Sequence, residues 1–478
     1  MRLKKLTQTA GIAALIAFTF GVHAAPPKAK PKTPAKPAVT TKAVKPAPAK
    51  PAPATPKTPP TASDITVKFV PGESWPMFRA NPQRTAFVPL TIPVSTLQKD
   101  WVWSKGAAAI VSSPVISGDT VYFGTRDANV GGSSRGALMA VSLSTGETKW
   151  RYDVSRNEKT ILTHTAKKQP ATGAGTEALG WVESTPCVAG NYVYVTSRDG
   201  ALHCVTTDGA LKWRLRTGGL DTSSPNVVNG TVYFGSAYPN KDFWAVDAVS
   251  GVVKWRTDSG IPGNPQRPGQ FVYSSQAFLD GTVYAAANDG GFYGIDAATG
   301  KQKWRYETNG GIFFHTPTIA DNLLIGAPGD YDTGVYALDR ATGKLVWRYD
   351  PKIQQSYVSS PAYDGETVYV GIGTPDQMIV ALEAKTGQEK WRYTTGFSTQ
   401  QSYTSSPAVT NNVIFVGGAQ RKMSDPPSGR LICLDKTNGK LLWEAALPQP
   451  VVSSPAVVRN YVVVGCMDGS VYAFKWGG

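Results

Sequence analysis

The feature that most constrains this chain is an internal repeat. A Ser/Thr-Pro pair recurs at Pro114, Pro186, Pro225, Pro317, Pro361, Pro407 and Pro455, and Gln276 holds the Pro place in Ser274-Ser275-Gln276. Seven residues beyond each of these eight positions stands a branched apolar residue: Val121, Val193, Val232, Val283, Leu324, Val368, Ile414 and Val462. A fixed period means copies of one supersecondary unit, each burying its apolar faces against its neighbours.

The second half of the unit is equally regular. A turn of the form Asp-x-x-Thr-Gly is followed, four residues beyond the Gly, by Trp: Gly146 with Trp150, Gly209 with Trp213, Gly251 with Trp255, Gly300 with Trp304, Gly343 with Trp347, Gly387 with Trp391 and Gly439 with Trp443. The glycine supplies the positive φ of a tight hairpin. Between these marks run short alternating stretches such as Thr120-Val121-Tyr122-Phe123, the period of antiparallel strands. With Gly 48 and Pro 36 but only 17% charged residues, the composition excludes a helical bundle.

Each unit of roughly 40–50 residues holds four strands, the signature of a β-propeller blade. The last copy, from Pro455 onward, supplies only three strands before the chain ends. The missing outer strand stands alone near the start, at Thr96–Trp101, with the Thr-to-Trp spacing of the other fourth strands. The expectation is therefore an all-β, eight-bladed propeller of four-stranded antiparallel blades over 63–478, closed by an N-terminal strand that completes the last blade.

Two segments precede it. Arg2, Lys4 and Lys5, the apolar run Gly11–Val22 and the small residues ending at Ala24 read as a secretory signal peptide over 1–24. Residues 25–62 form a Pro/Lys/Ala-rich spacer that cannot bury enough apolar surface to fold and is expected to be disordered. It is either a tether toward cell wall or anionic polymer or a solubilising linker. The chain carries net charge +15, but residues 1–62 hold 11 Lys+Arg and no acids, leaving 38 basic against 34 acidic residues in the remainder. The basic balance thus belongs to the leader and spacer, and nucleic acid is not an expected partner.

The repeats resemble the PQQ-like repeat, Ala-x-Asp-x-x-Thr-Gly-x-x-x-Trp, of the quinoprotein alcohol dehydrogenase-like propeller superfamily. Good copies begin at Ala245-Val246-Asp247, Gly294-Ile295-Asp296 and Ala337-Leu338-Asp339, and the opening Trp75-Pro76-Met77-Phe78-Arg79 with Thr85 resembles that superfamily's lead-in. The overall design is also similar to the BamB family of exported scaffold propellers. No Cys follows the apolar leader to take a lipid anchor, a departure from that family. The resemblance implies that the repeat tryptophans, Trp101, Trp150, Trp213, Trp255, Trp304, Trp347, Trp391 and Trp443, dock blade on blade. Once per blade at one strand position is the pattern of packing, not of cofactor stacking.

Function in such a ring belongs to the loops at one mouth of the central channel. The residues just upstream of each Ser/Thr-Pro pair give the candidates Glu183, Asp221, Tyr273, Phe313, Phe314, His315, Tyr357 and Tyr403. His315 breaks a position that is Ser in the other seven copies. These side chains either bind a ligand or pack together and plug the channel. The loops after each second strand carry Arg126-Asp127, Arg198-Asp199, Asn288-Asp289, Asp330-Tyr331-Asp332, Asp376, Arg421-Lys422 and Asp468. Such oxygen-rich loops could ligate Ca²⁺, yet no compact Asp-x-Asp-x-Asp-Gly loop is present. One insertion stands out, with 36 residues from Trp150 to Pro186 where other copies need 12–21; residues 155–180 read as a partner-contact loop in preference to a catalytic lid.

The resemblance implies two activities. The first expectation is a non-enzymatic, monomeric propeller, exported to the periplasm or cell surface, that binds an envelope protein or polymer through its loop-rich face and needs no cofactor. The alternative is a PQQ- and calcium-dependent dehydrogenase of alcohols or sugars. Against it, Cys187, Cys204, Cys433 and Cys466 are isolated in strand patterns, so neither adjacent cysteines nor a haem-attachment motif is present. They are expected to be buried free thiols. A third reading is a polysaccharide or cell-wall binding module using the aromatic residues of the mouth.

Overall fold

The computed structural model describes residues 65–127, 135–153, 179–219, 222–237, 241–259, 272, 274–308, 315–329, 332–353, 357–373, 376–398, 405–420 and 428–477. The expected signal peptide and spacer lie outside these residues, as does nearly all of the 155–180 insertion.

The described chain forms eight antiparallel sheets of the same pattern. Blade 2 is typical: Cys187–Ala189, Tyr192–Ser197, Ala201–Thr206 and Leu211–Arg216 pair in sequence order. Burial falls outward along that order. Every residue of Tyr192–Ser197 is buried, whereas Leu211–Arg216 exposes Lys212 and Arg216. Second strands packed on both faces read as continuous apolar runs, as the repeat requires. Blade 6 adds a two-residue strand, Tyr357–Val358, paired with Ile372 and Gly373.

The eighth sheet is built from both ends of the described chain. Gln98–Ser104 pairs antiparallel with Ser470–Lys475, with Val102 opposite Tyr472 and Trp103 opposite Val471. It takes the outer place, and Tyr461–Gly465 and then Ala456–Val458 follow inward from Ser470–Lys475. A paired strand there covers an edge that would otherwise present unbonded N–H and C=O groups.

The repeat residues have separate mechanical roles. The Ser or Thr before each Pro links neighbouring blades. The N–H of Thr185 donates to Ser224 Oγ (2.9 Å), that of Ser224 to Ser275 Oγ (2.9 Å), and the relay continues through Thr316, Ser360, Ser406 and Ser454 to Ser113. The Ser two places before Pro works within a blade: Ser223, Ser274 and Ser453 each accept from a second-strand N–H twelve residues on. In the turns, Asp339 Oδ1 accepts from the Thr342 hydroxyl (2.7 Å) and N–H (2.8 Å), and these bonds hold its carboxyl below the usual range. The hairpin then needs a left-handed residue, and Gly343 takes φ +71°. Against it lies the ring of Trp304, whose Nε1 donates to Arg340 O in the same turn. The same placement recurs from Trp101 on Gly146 to Trp391 on Gly439, so seven tryptophans each dock on the next blade's turn. Trp443 instead meets Phe474 of blade 8 edge-on, with ring centroids 5.2 Å apart.

The axis is closed from the turn-bearing end by the segment before the first strand. Thr66 and Pro76 accept from Gly190 and Val188 of blade 2, and Trp75 bridges Ile116 of blade 1. Pro82, Gln83, Thr85 and Ala86 accept in turn from Phe278, Ile319, Tyr363 and Val409 of blades 4 to 7. Gly72 accepts from Arg459 of blade 8, and Asn226 of blade 3 donates to Pro82. A stretch of some two dozen residues is thus bonded to the innermost part of every blade.

Candidate functional site

In this strand order, the second-to-third hairpins and the connections between blades share one end of the ring. Their backbones interlock there. Val182 donates to Thr125 O, Val272 to Ser236 O and Val451 to Gly418 O, each lead-in thereby leaning on the preceding blade's hairpin. The long insertion departs from this same end, and its flanks are drawn together by Leu179 N–H on Asp153 O (3.4 Å).

Beside that departure point stands a side-chain cluster of one carboxylate, two guanidiniums and an indole. Glu183, on the lead-in to blade 2, receives Arg198 Nε at 2.7 Å and forms a second ion pair with Arg126. Both guanidiniums also lie over the ring of Trp181, with Cζ 5.0 and 5.2 Å from its centroid. Each Arg therefore engages one carboxylate and one π face, which fixes its planar fork. Next to it, His203 is fully buried between Asp199 (3.1 Å) and the Tyr152 hydroxyl (3.1 Å). With Nε2–H donating to the carboxylate, Nδ1 is left to accept from Tyr152.

The hairpin carboxylates share one arrangement. Asp332 accepts from Tyr336 Oη (2.7 Å) four residues on and from Arg348 (3.1 Å), the residue after the repeat Trp347. Asp289 is held likewise by Tyr293 and Arg305, Asp468 by Tyr472, Asp242 by Arg256 and Asp127 by Arg151. Sharing a carboxylate raises the phenol: burial first, then Asp332, pushes Tyr336 up to about 12.

Of the sequence candidates, Glu183 is thus in an ion-pair cluster and His315 stands half-buried on the lead-in to blade 5. Tyr357 is placed by its backbone in the short strand of blade 6. Asp221, Tyr273, Phe313, Phe314 and Tyr403 lie outside the described residues, so the aromatic arc is not defined here. What the described residues place on the axis is the N-terminal segment, with Arg79 and Arg84 fully buried. Sequence reasoning noted Arg79 only as part of a lead-in and passed over Arg84 and Trp181. The Asp-to-Tyr spacing of four and the Arg after each repeat Trp were signals that could have revealed the hairpin pairs.

These observations bear on the PQQ and Ca²⁺ implied by the resemblance. Ca²⁺ needs six to eight oxygens not already neutralised. Among the described residues no three His, Cys, Asp or Glu converge, and the hairpin carboxylates are engaged by Arg and Tyr. The donor set of these described hairpins, each carboxylate taken by Arg or Tyr, does not fit a resident Ca²⁺. The four cysteines are free and buried, three on separate strands and Cys466 just past the end of Tyr461–Gly465, and burial pushes the thiols of Cys187, Cys433 and Cys466 up to about 12. Cys187 and Cys204 both sit opposite Tyr194 from either side, two strands apart. Among the described residues no helix is long and apolar enough to cross a membrane.

A family model described as "Outer membrane protein assembly factor BamB" matches residues 165–274, 271–425 and 400–476. The outer membrane protein assembly factor BamB of Burkholderia pseudomallei (strain K96243) is 26% identical over 391 residues, spanning 80% of this chain and 89% of the relative. Two solved structures share the fold. BamB from Moraxella catarrhalis superposes with a TM-score of 0.56 at 15% identity, over 80% of this chain and 100% of that one. Quinohemoprotein alcohol dehydrogenase from Comamonas testosteroni gives 0.65 at 17% identity, over 86% and 81%.

Proposed function

The chain belongs to the family described as outer membrane protein assembly factor BamB, and from that membership we propose that it is an exported, non-catalytic scaffold of the cell envelope. It binds proteins of outer-membrane assembly through the loop-bearing end of the ring. The observation that carries this reading is the state of the hairpin carboxylates. Among the described residues, Asp127, Asp242, Asp289, Asp332 and Asp468 are each engaged by Arg or Tyr of their own blade, which suits a rigid recognition surface. A catalytic metal site needs carboxylates held open. Rigid scaffolding lowers the ordering cost of binding. The cluster of Glu183, Arg126, Arg198 and Trp181 supplies the aromatic and Arg groups that dominate binding energy at interfaces, and it adjoins the insertion.

The dehydrogenase reading shares the fold and is separated by one experiment. The full chain is titrated with PQQ and Ca²⁺ while cofactor absorbance and dye-linked alcohol oxidation are followed. In parallel it is tested for co-purification with outer-membrane assembly proteins. The expected result is co-purification without alcohol oxidation; cofactor-dependent turnover would overturn the proposal.

A further inference from the structure

Several chemistry-bearing departures from the repeat meet at one point of the loop end. The hairpin position held by Arg126 in blade 1 and Arg198 in blade 2 is Ala, Asn, Gly or Met in the other six blades. No other copy has an acid where Glu183 stands, three places before the repeat Pro, or a Trp where Trp181 stands, five places before it. Six blades form without these side chains, so the fold does not require them.

Backbone bonds bring them together. Val182 N–H donates to Thr125 O of blade 1 (3.1 Å) and Arg198 N–H to Trp181 O (3.1 Å), which seats the lead-in 181–183 between the two hairpins. One carboxylate there serves two guanidiniums. Glu183 accepts from Arg198 Nε (2.7 Å) and ion-pairs with Arg126, and among the described residues no other acid pairs with either Arg. The second positive charge thus has no carboxylate of its own. The Glu183 side chain is 7% exposed, whereas those of Arg126 and Arg198 keep 18% and 23%, so the cluster shows guanidinium to solvent. Arg126 Nε and the Trp181 indole N–H are left without an acceptor. Buried donors of a finished core are paired; the ring holds this cluster in shape without completing it.

We propose that Arg126 and Arg198 are the docking point for an acidic segment of a partner protein, whose carboxylate takes guanidinium N–H groups that Glu183 leaves free. The inference rests on the reading of the loop end as a receiving face and adds the chemistry of what that face receives. A guanidinium matches a carboxylate through paired N–H donors. Glu183 and the Trp181 ring hold both forks before contact, so little side-chain freedom is lost on binding. Because the arginines are part-exposed, the contact weakens with salt.

The test titrates the full chain, ¹⁵N-labelled at its tryptophan indoles, at low salt with acetyl-Gly-Glu-Glu-Gly-amide and with its Gln-Gln counterpart. The Trp181 resonance is assigned by its loss in Trp181→Phe. It reports locally, so peptide held by the cationic spacer does not move it. The expected result is a saturable shift of Trp181 with the Glu peptide and none with the Gln peptide. The double variant Arg126→Gln, Arg198→Gln should raise half-saturation by about tenfold or more, and Lys254→Gln, at the opposite end of the ring, should leave it unchanged. Should the double variant fail to fold, Arg198→Gln decides alone, because it leaves Glu183 paired with Arg126. A Trp181 resonance that ignores the Glu peptide, follows both peptides equally, or keeps its half-saturation in the folded variant overturns the docking point. That outcome with co-purification intact leaves the scaffold reading standing; lost co-purification with the shift intact does the reverse.

Discussion

At the scale of single residues, the departures from the repeat carry the most information. His315 is a histidine where strand geometry wants a hydroxyl, and its pKa is lowered to about 4 by burial and then by Arg79. Because the folded pKa lies below the unfolded value near 6.5, the unfolded state binds the proton first as pH falls. Stability is therefore complete above about pH 6.5 and is lost as pH drops toward 4. Urea unfolding of the full chain and of His315→Ser should diverge across this window, wild type losing up to about 3 kcal/mol more. Parallel curves would show that His315 is not held neutral. The break at His315 could be read from sequence because seven serines frame it. Its neighbour Arg79 could not, since the lead-in occurs once and its contact at Pro361 lies 282 residues away.

At the scale of the element, one hairpin and one tryptophan make a joint. Gly343 sits at φ +71°, and a Cβ there would come within 2.5 Å of the Trp304 ring. Gly343→Ala meets both a strained backbone and an overpacked interface, and it should cost about 1–3 kcal/mol. An equilibrium denaturation series including Gly365→Ala tests this, because Gly365 shares positive φ (+103°) with nothing within 4 Å of its Cβ. Equal losses would assign the whole cost to the backbone. The Thr-Gly and Trp spacing made these joints legible, since one contact repeats around the ring. The hairpin carboxylates were legible as positions but not as chemistry. Asp289 and Asp332 looked like cation ligands until the strand register brought Arg305 and Arg348 across to them. Pairing across strands depends on register, which short turns set and composition does not reveal.

At the scale of the whole molecule, the ring depends on residues far apart in the chain. Gln98–Ser104 brings Trp101 and Trp103 into the eighth sheet, where Trp103 packs edge-on against Phe123 of blade 1 at 5.0 Å. Deleting 98–104 removes two buried indoles and uncovers Ser470–Lys475, and should lower Tm by about 10 °C or more; an unchanged melt would mean that the strand is dispensable. The central claim, that the loop-bearing end of this ring receives envelope proteins, is tested most directly by site-specific photo-crosslinking in the cells that make the chain. One crosslinker replaces the exposed Arg216 at the loop end of blade 2, and another replaces the exposed Thr342 in a turn at the opposite end. The account predicts adducts with outer-membrane assembly proteins from position 216 and none from position 342. Adducts from position 342 alone, or from neither, would contradict it.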